Sequence, residues 1–259
     1  MPDLVAAAYD GIAASYDAQV QGDTWMRHIL WQHFLAVFEP GDSVLDVTCG
    51  TGTDAIFLAQ HGICLTAMDI SPGMVQRLHA KVTHVGIGER VHALIGDAAN
   101  LAMCGSVRFD GIISTFAGLN TIEDPAAFAC AAARLLRPCG HLIVHMLSRC
   151  SAWEWLGLAA RGHWPEARNL CRRERRVYSI DGKPVPHRLY LPCEAYATFF
   201  APHFRLHRAY SLGALRPPHT LRSVPRPVAQ ALGAMEPSVS SRPPLLDHGR
   251  FFVLDMVRR

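Results

Sequence analysis

The chain has 259 residues, half of them hydrophobic and only 18% charged, which suits one large domain with a substantial core and excludes global disorder. Its net charge of +3 is too small for a nucleic-acid binder, and no apolar run approaches the roughly 18 residues of a membrane-spanning helix. The start MPDLVAAAYDGIAAS carries Asp3 and Asp10 instead of a cationic leader, and eight cysteines without a C-x-x-C pair argue for reduced thiols and against structural zinc, so a cytoplasmic protein is expected.

Along the first 147 residues, short apolar runs alternate with helical stretches, the rhythm of β-α-β units. Strands are expected at Ser43–Val47, Cys64–Asp69, Val91–Ile95, Gly111–Thr115 and His141–Met146. Helices are expected between them at Asp54–Gln60, Pro72–Val85 and Pro125–Leu136, with Ser71-Pro72 as a cap followed by proline at the first helical position. Continuous apolar runs of this kind mark parallel strands buried on both faces.

After Leu147 the texture changes. Residues 148–191 hold Trp153, Trp155 and Trp164, then the cluster CRRERR, then a hairpin with Asp181-Gly182 as its turn. Trp153, Leu156 and Ala160 share a helical face, so packing onto the core is expected. Arg168, Arg172, Arg173, Arg175 and Arg176 leave four readings open: a lid, a site for an acidic substrate, peripheral membrane contact, or simply a solvated helix face. A helix at Cys193–Phe200 and a strand at Phe204–Tyr210 follow. A proline-rich excursion then precedes the last strand, RFFVLDMV. The expected organisation is a single domain over 1–259: a core in 1–147, a cap insertion in 148–191 and completion of the sheet in 192–259.

The stretch VLDVTCGTGTDA places Asp46 four residues before Gly50, with Gly52 next and Ala55 three residues later. In a strand-turn-helix context the glycines let backbone approach a ligand, and the helix N-terminus offers unpaired N–H donors. The pattern G-x-G-x-x-A also occurs in dinucleotide-binding loops. A pyrophosphate would be repelled by Asp46, whereas a phosphate-free ligand with an ammonium group would be attracted. Asp69 ends the second strand, where a carboxylate can accept ribose hydroxyl protons, and Asp97 follows the third, placed to accept from an adenine amino group.

With FDGII and LLRPCG added, the series D-x-x-C-G-x-G, D-I-S-P-x-M, G-D-A, F-D-x-I and L-x-P-x-G resembles the class I S-adenosylmethionine-dependent methyltransferases that act on small molecules. The resemblance is strong over residues 5–147. It implies a doubly wound α/β fold with a seven-stranded, mostly parallel sheet whose last strand is inserted antiparallel. It implies S-adenosyl-L-methionine as cofactor, held by Tyr16, Asp46, Gly50, Gly52, Asp69, Ile70, Met74, Asp97, Ala98 and Thr115. The implied activity is methyl transfer to a small-molecule acceptor, apolar or aromatic, with no metal and no nucleic-acid partner.

His145, at the carboxyl end of the fifth strand, is the candidate general base, with a core histidine as the competing reading. Asn120 and Thr115 follow the fourth strand and are candidates to touch the methionine moiety or the acceptor. Cys49 reads as a small loop residue. Cys139 stands where the family has glycine, which places that turn in question. Two other classes stay open: an NAD(P)-dependent oxidoreductase and a non-catalytic adenosyl-ligand binding protein. The sequence carries no signal for oligomeric state or for which acceptor atom is methylated.

Overall fold

A computed structural model describes residues 2–218, 221 and 224–259. Its centre is a seven-stranded sheet in the order β3-β2-β1-β4-β5-β9-β8. The strands are β1 (Ser43–Asp46), β2 (Cys64–Asp69), β3 (Val91–Ile95), β4 (Phe109–Ser114), β5 (Leu136–Leu147), β8 (Phe204–Leu212) and β9 (Phe251–Arg258); β6 (Arg175–Ile180) and β7 (Lys183–Arg188) form a separate hairpin. The first five strands pair in parallel, and β9 runs antiparallel between β5 and β8, as the resemblance implies. β2 and β3 keep their expected bounds, and their neighbours shift by a few residues.

The helices are α1 (Pro2–Ile12), α2 (Tyr16–Gln19), α3 (Thr24–Val37), α4 (Thr53–Gln60), α5 (Pro72–Val85), α6 (Pro125–Leu135), α7 (Ala152–Ala160), α8 (Trp164–Asn169), α9 (Pro192–Ala195) and α10 (Arg226–Val239). Two apolar clusters cover the two faces of the sheet. Phe109, Phe128, Phe200 and Phe204 anchor one, and Leu30, Phe34, Leu58 and Ile63 the other. α5 begins as its sequence dictates: the Ser71 side chain accepts from Met74 N–H, and Pro72 occupies a position that needs no donor.

Four expectations change. The proline-rich excursion contains α10, entered through Pro225 and Pro227, because proline is tolerated in a first helical turn. Cys150 and Cys171 are paired in a disulfide, which replaces the reduced-thiol expectation for those two and ties the segment after β5 to the end of α8. The shared face of Trp153, Leu156 and Ala160 is not packed on the core: α7 has no buried residue, and Leu156 and Ala160 are exposed. The helix expected at Cys193–Phe200 is one short α turn followed by a π turn, Tyr196–Phe200.

The turn at Cys139 resolves as a bulge. Cys139 has φ 62°, and residues 137–140 loop out between the pairs Phe109–Leu136 and Gly111–His141. Gly140 is required there, since a Cβ would come within 3.0 Å of the Arg137 and Asp110 carbonyl oxygens.

Candidate cofactor and acceptor sites

The carboxyl ends of β1, β2, β3 and β4 frame a cavity lined by Thr48, Gly50, Asp69, Ile70, Met74, Asp97, Ala98, Thr115 and Phe116, with Val5, Tyr9 and Tyr16 on its outer side. Gly50 has φ +53°, and Tyr16 lies over it: a Cβ on Gly50 would meet the tyrosine ring at 3.6 Å. Gly52 does not line the cavity. It takes φ +79°, and a Cβ there would be 2.0 Å from Leu78, so it shapes the turn that starts α4.

Asp69 holds the rim together while facing the cavity. Its Oδ2 accepts from Gly50 N–H (2.8 Å) and its Oδ1 from Ser71 N–H (2.9 Å). Burial raises its pKa, and those backbone donors pull it back down. Asp97 lines the same cavity and accepts from Ala99 N–H at 2.8 Å.

Asp46 sits one layer deeper, fully buried and outside the lining. Its Oδ1 accepts weakly from Thr48 N–H (3.4 Å), and its Oδ2 has no hydrogen-bond partner. Burial raises its pKa well above the usual carboxylate range, and the nearby Asp54 charge adds to that.

The cluster that sequence reasoning missed lies beside it. Asp54, in the first turn of α4, takes Arg27 Nη1 at 2.5 Å, Trp31 Nε1 at 2.7 Å and Thr115 Oγ1 at 2.8 Å. Arg27 and Trp31 reach it together because they are one turn apart on α3. The Arg27 guanidinium also lies 4.3 Å from the centre of the Phe116 ring. The available signal was an Arg-x-x-x-Trp spacing ahead of an acidic helix start.

The N-terminal helices close the cavity from outside. Asp10 of α1 accepts from Ser71 Oγ and from Gly73 N–H at 2.7 Å, at the start of α5. Asp17 pairs with Lys81 at 2.6 Å. The β6-β7 hairpin packs on α1 through Val185 against Val5 and Ala8, and Lys183 Nζ donates to Ala7 O at 3.1 Å. Tyr16, half-buried under these elements, has its hydroxyl pKa raised to about 12 by desolvation.

His145 is not on the cavity wall. It is 1% exposed, its Nδ1 accepts from Phe116 N–H (3.2 Å), and its Nε2 has no partner. Burial, with the positive charges of Arg27 and Arg250, depresses its pKa to about 3, so it is neutral and a poor proton acceptor near neutral pH. The geometry favours the core reading over the base. Asn120 is also structural, its amide bonding Leu147 N–H and the Leu147 and Arg188 carbonyls.

Charge distinguishes this cavity. Among the described residues its lining holds three acids, Asp69, Asp97 and Glu123, and no lysine, arginine or histidine. Such a wall attracts a cation and repels a pyrophosphate.

Residues 44–140 match the family model described as a methyltransferase domain. The chain is 32% identical over 146 residues to a demethylmenaquinone methyltransferase of Mycobacterium marinum, covering 55% of this chain and 59% of that protein. It is 34% identical over 114 residues to a ubiquinone biosynthesis O-methyltransferase of Xylella fastidiosa, covering 43% and 44%. The chain thus spans less than two thirds of these relatives' length. A SAM-dependent methyltransferase from Methanosarcina mazei superposes with TM-score 0.58 at 14% identity, over 86% of this chain and 94% of that one. Residues 44–140 are therefore similar to a methyltransferase domain, and the sheet around them has the fold seen in S-adenosylmethionine-dependent methyltransferase structures.

Proposed function

We propose that the chain transfers a methyl group from S-adenosylmethionine to a small apolar or aromatic acceptor. The observation that carries this reading is the all-acidic charge of the glycine-loop cavity, backed by the unpartnered buried Oδ2 of Asp46. A sulfonium bearing an ammonium group suits that field, and a dinucleotide does not.

The residues present fit the cofactor. Asp69 keeps lone pairs free to accept hydroxyl protons from a ribose, and Asp97 can accept from an exocyclic amine. Ile70, Met74 and Ala98 supply apolar walls for a flat base. When bound, S-adenosylmethionine would supply a methyl carbon already activated by its sulfonium. The task left to the protein is positioning: Tyr16, α1 and the hairpin above it would exclude water and fix the approach line. No residue of the cavity is assigned as a base, in keeping with a reaction whose barrier is lowered mainly by alignment.

The quinone-related names of the two relatives support an aromatic or apolar acceptor for this chain. A small molecule is the proposed partner, not nucleic acid. No described helix is long and apolar enough to cross a membrane. A cytoplasmic setting belongs to the proposal, and cell fractionation tests it: recovery in the cytosolic fraction supports it, and recovery in another compartment contradicts it. The activity is tested by incubating the protein with methyl-labelled S-adenosylmethionine and fractionated metabolite extracts. Label should appear in an organic-soluble product, and its absence from every fraction despite cofactor binding would argue for a non-catalytic binding protein.

A further inference from the structure

A second cavity opens on the same rim, over the other half of the sheet. Its walls come from separated segments: Trp25 of α3, Leu147 at the end of β5, Trp153 and Leu158 of α7, Tyr178 of β6, and the loop that follows β8. Its charge is the reverse of the first. Arg161, Arg176, Arg216 and Arg250 line it, against Asp23 and Glu154.

Two of these arginines are spent internally, Arg250 on Asp23 at 3.0 Å and Arg176 on Glu154. Arg161 and Arg216 make no side-chain ion pair among the described residues, so neither guanidinium is bound to a carboxylate of the wall. Arg216 is nevertheless held in place. Its guanidinium lies 4.7 Å from the centre of the Trp25 ring. The loop that carries it is pinned by buried Glu236 of α10, which accepts from Ala214 N–H (2.6 Å) and Arg216 N–H (3.1 Å). Burial lowers the Arg216 pKa, opposed by Glu236, so an anion brought beside it would relieve a real cost. Trp153, on the same wall, has an indole N–H buried without an acceptor.

One layer of side chains divides the two cavities. Phe116 lines the first, and its ring meets Phe251 at 6.2 Å and the Arg27 guanidinium. The chain neighbours of those two, Arg250 and Met26, line the second.

We infer that the second cavity binds an apolar, aromatic molecule carrying an acidic group. Arg161 and Arg216 take the carboxylate, sulfonate or phosphate, and Trp25, Trp153 and Tyr178 take the ring.

The test uses 8-anilinonaphthalene-1-sulfonate as probe and the neutral N-phenyl-1-naphthylamine as control, titrated by fluorescence into the whole protein. The sulfonate should bind saturably at one site, at least tenfold more weakly in Arg161→Met/Arg216→Met, and regain most of that affinity in Arg161→Lys/Arg216→Lys. The neutral probe should not distinguish the three. Saturating S-adenosylhomocysteine should leave sulfonate affinity unchanged. Should the double variant fail to fold, Arg161→Met alone, on an exposed side chain, should still weaken the sulfonate at least threefold. The anion site is overturned by equal sulfonate affinity in wild type and methionine variants, by parallel loss of the neutral probe, or by displacement with S-adenosylhomocysteine.

Discussion

His145 Nδ1 accepts the backbone N–H of Phe116 at 3.2 Å, and the His145 carbonyl accepts from Ala117 N–H at 3.0 Å. Phe116 and Ala117 both lie in the left-handed region, with φ 50° and 69°. One histidine therefore holds a turn of two unfavourable residues, and that turn places Phe116 between the two cavities. Its role is to position, through a neutral ring.

That role has a pH signature. The folded pKa of about 3 lies below the unfolded value near 6.5, so the unfolded chain binds the extra proton between them. The contribution is fully present above about pH 6.5 and is lost as pH falls towards 3, by about 5 kcal/mol in all. Denaturant melts at pH 7 and pH 4.5 should show a larger loss in wild type than in His145→Gln. Equal losses would remove His145 from the account.

Asp46 is expected to oppose stability and favour binding. Its raised pKa means that the folded state holds the proton more tightly, so stability falls as pH rises through the normal carboxylate value towards the folded one. Asp46→Asn should raise Tm without ligand. It should weaken S-adenosylmethionine binding more than S-adenosylhomocysteine, by about 1 kcal/mol or more, because the sulfonium adds a second positive charge. A lower Tm with unchanged affinities would show that the buried carboxylate is merely structural.

Asp69→Ala should weaken cofactor binding by about 1–3 kcal/mol, since a charged acceptor is lost from both the ligand and the Gly50 N–H. Calorimetry checks this, and an unchanged dissociation constant would refute its assignment to the ribose.

Cys139→Gly should stabilise the fold by about 1 kcal/mol. A side chain at φ 62° is strained, while glycine adopts that region freely. The expected rise in Tm is roughly 2–4 °C for a chain of this size. A fall would mean that the cysteine side chain contributes packing that outweighs the strain.

The parallel half of the sheet was legible because each strand is buried on both faces and reads as one apolar run. β2 and β3 are bounded by turn residues that fix their ends. The glycine-loop cavity was legible where it depends on chain order: Gly50, Asp69, Ile70, Met74, Asp97, Ala98 and Thr115 all line it, with Tyr16 above. Asp46 and Gly52 were read as direct contacts and lie outside the lining, Asp46 one layer deeper and Gly52 in the turn that starts α4. α10 was hidden by its prolines, which mark turns far more often than helix starts. The Arg27–Asp54 pair joins residues 27 positions apart by tertiary packing, and the second cavity joins segments from both ends of the chain. Neither has a local pattern to read.

The central claim is that the acidic glycine-loop cavity takes a cationic adenosyl cofactor and no dinucleotide. Isothermal titration of the protein with S-adenosylmethionine and with NADH in parallel tests it most directly. The account predicts saturable one-to-one binding of S-adenosylmethionine, weakened by Asp69→Ala, and no heat from NADH. Tight binding of NADH with none of S-adenosylmethionine would contradict it.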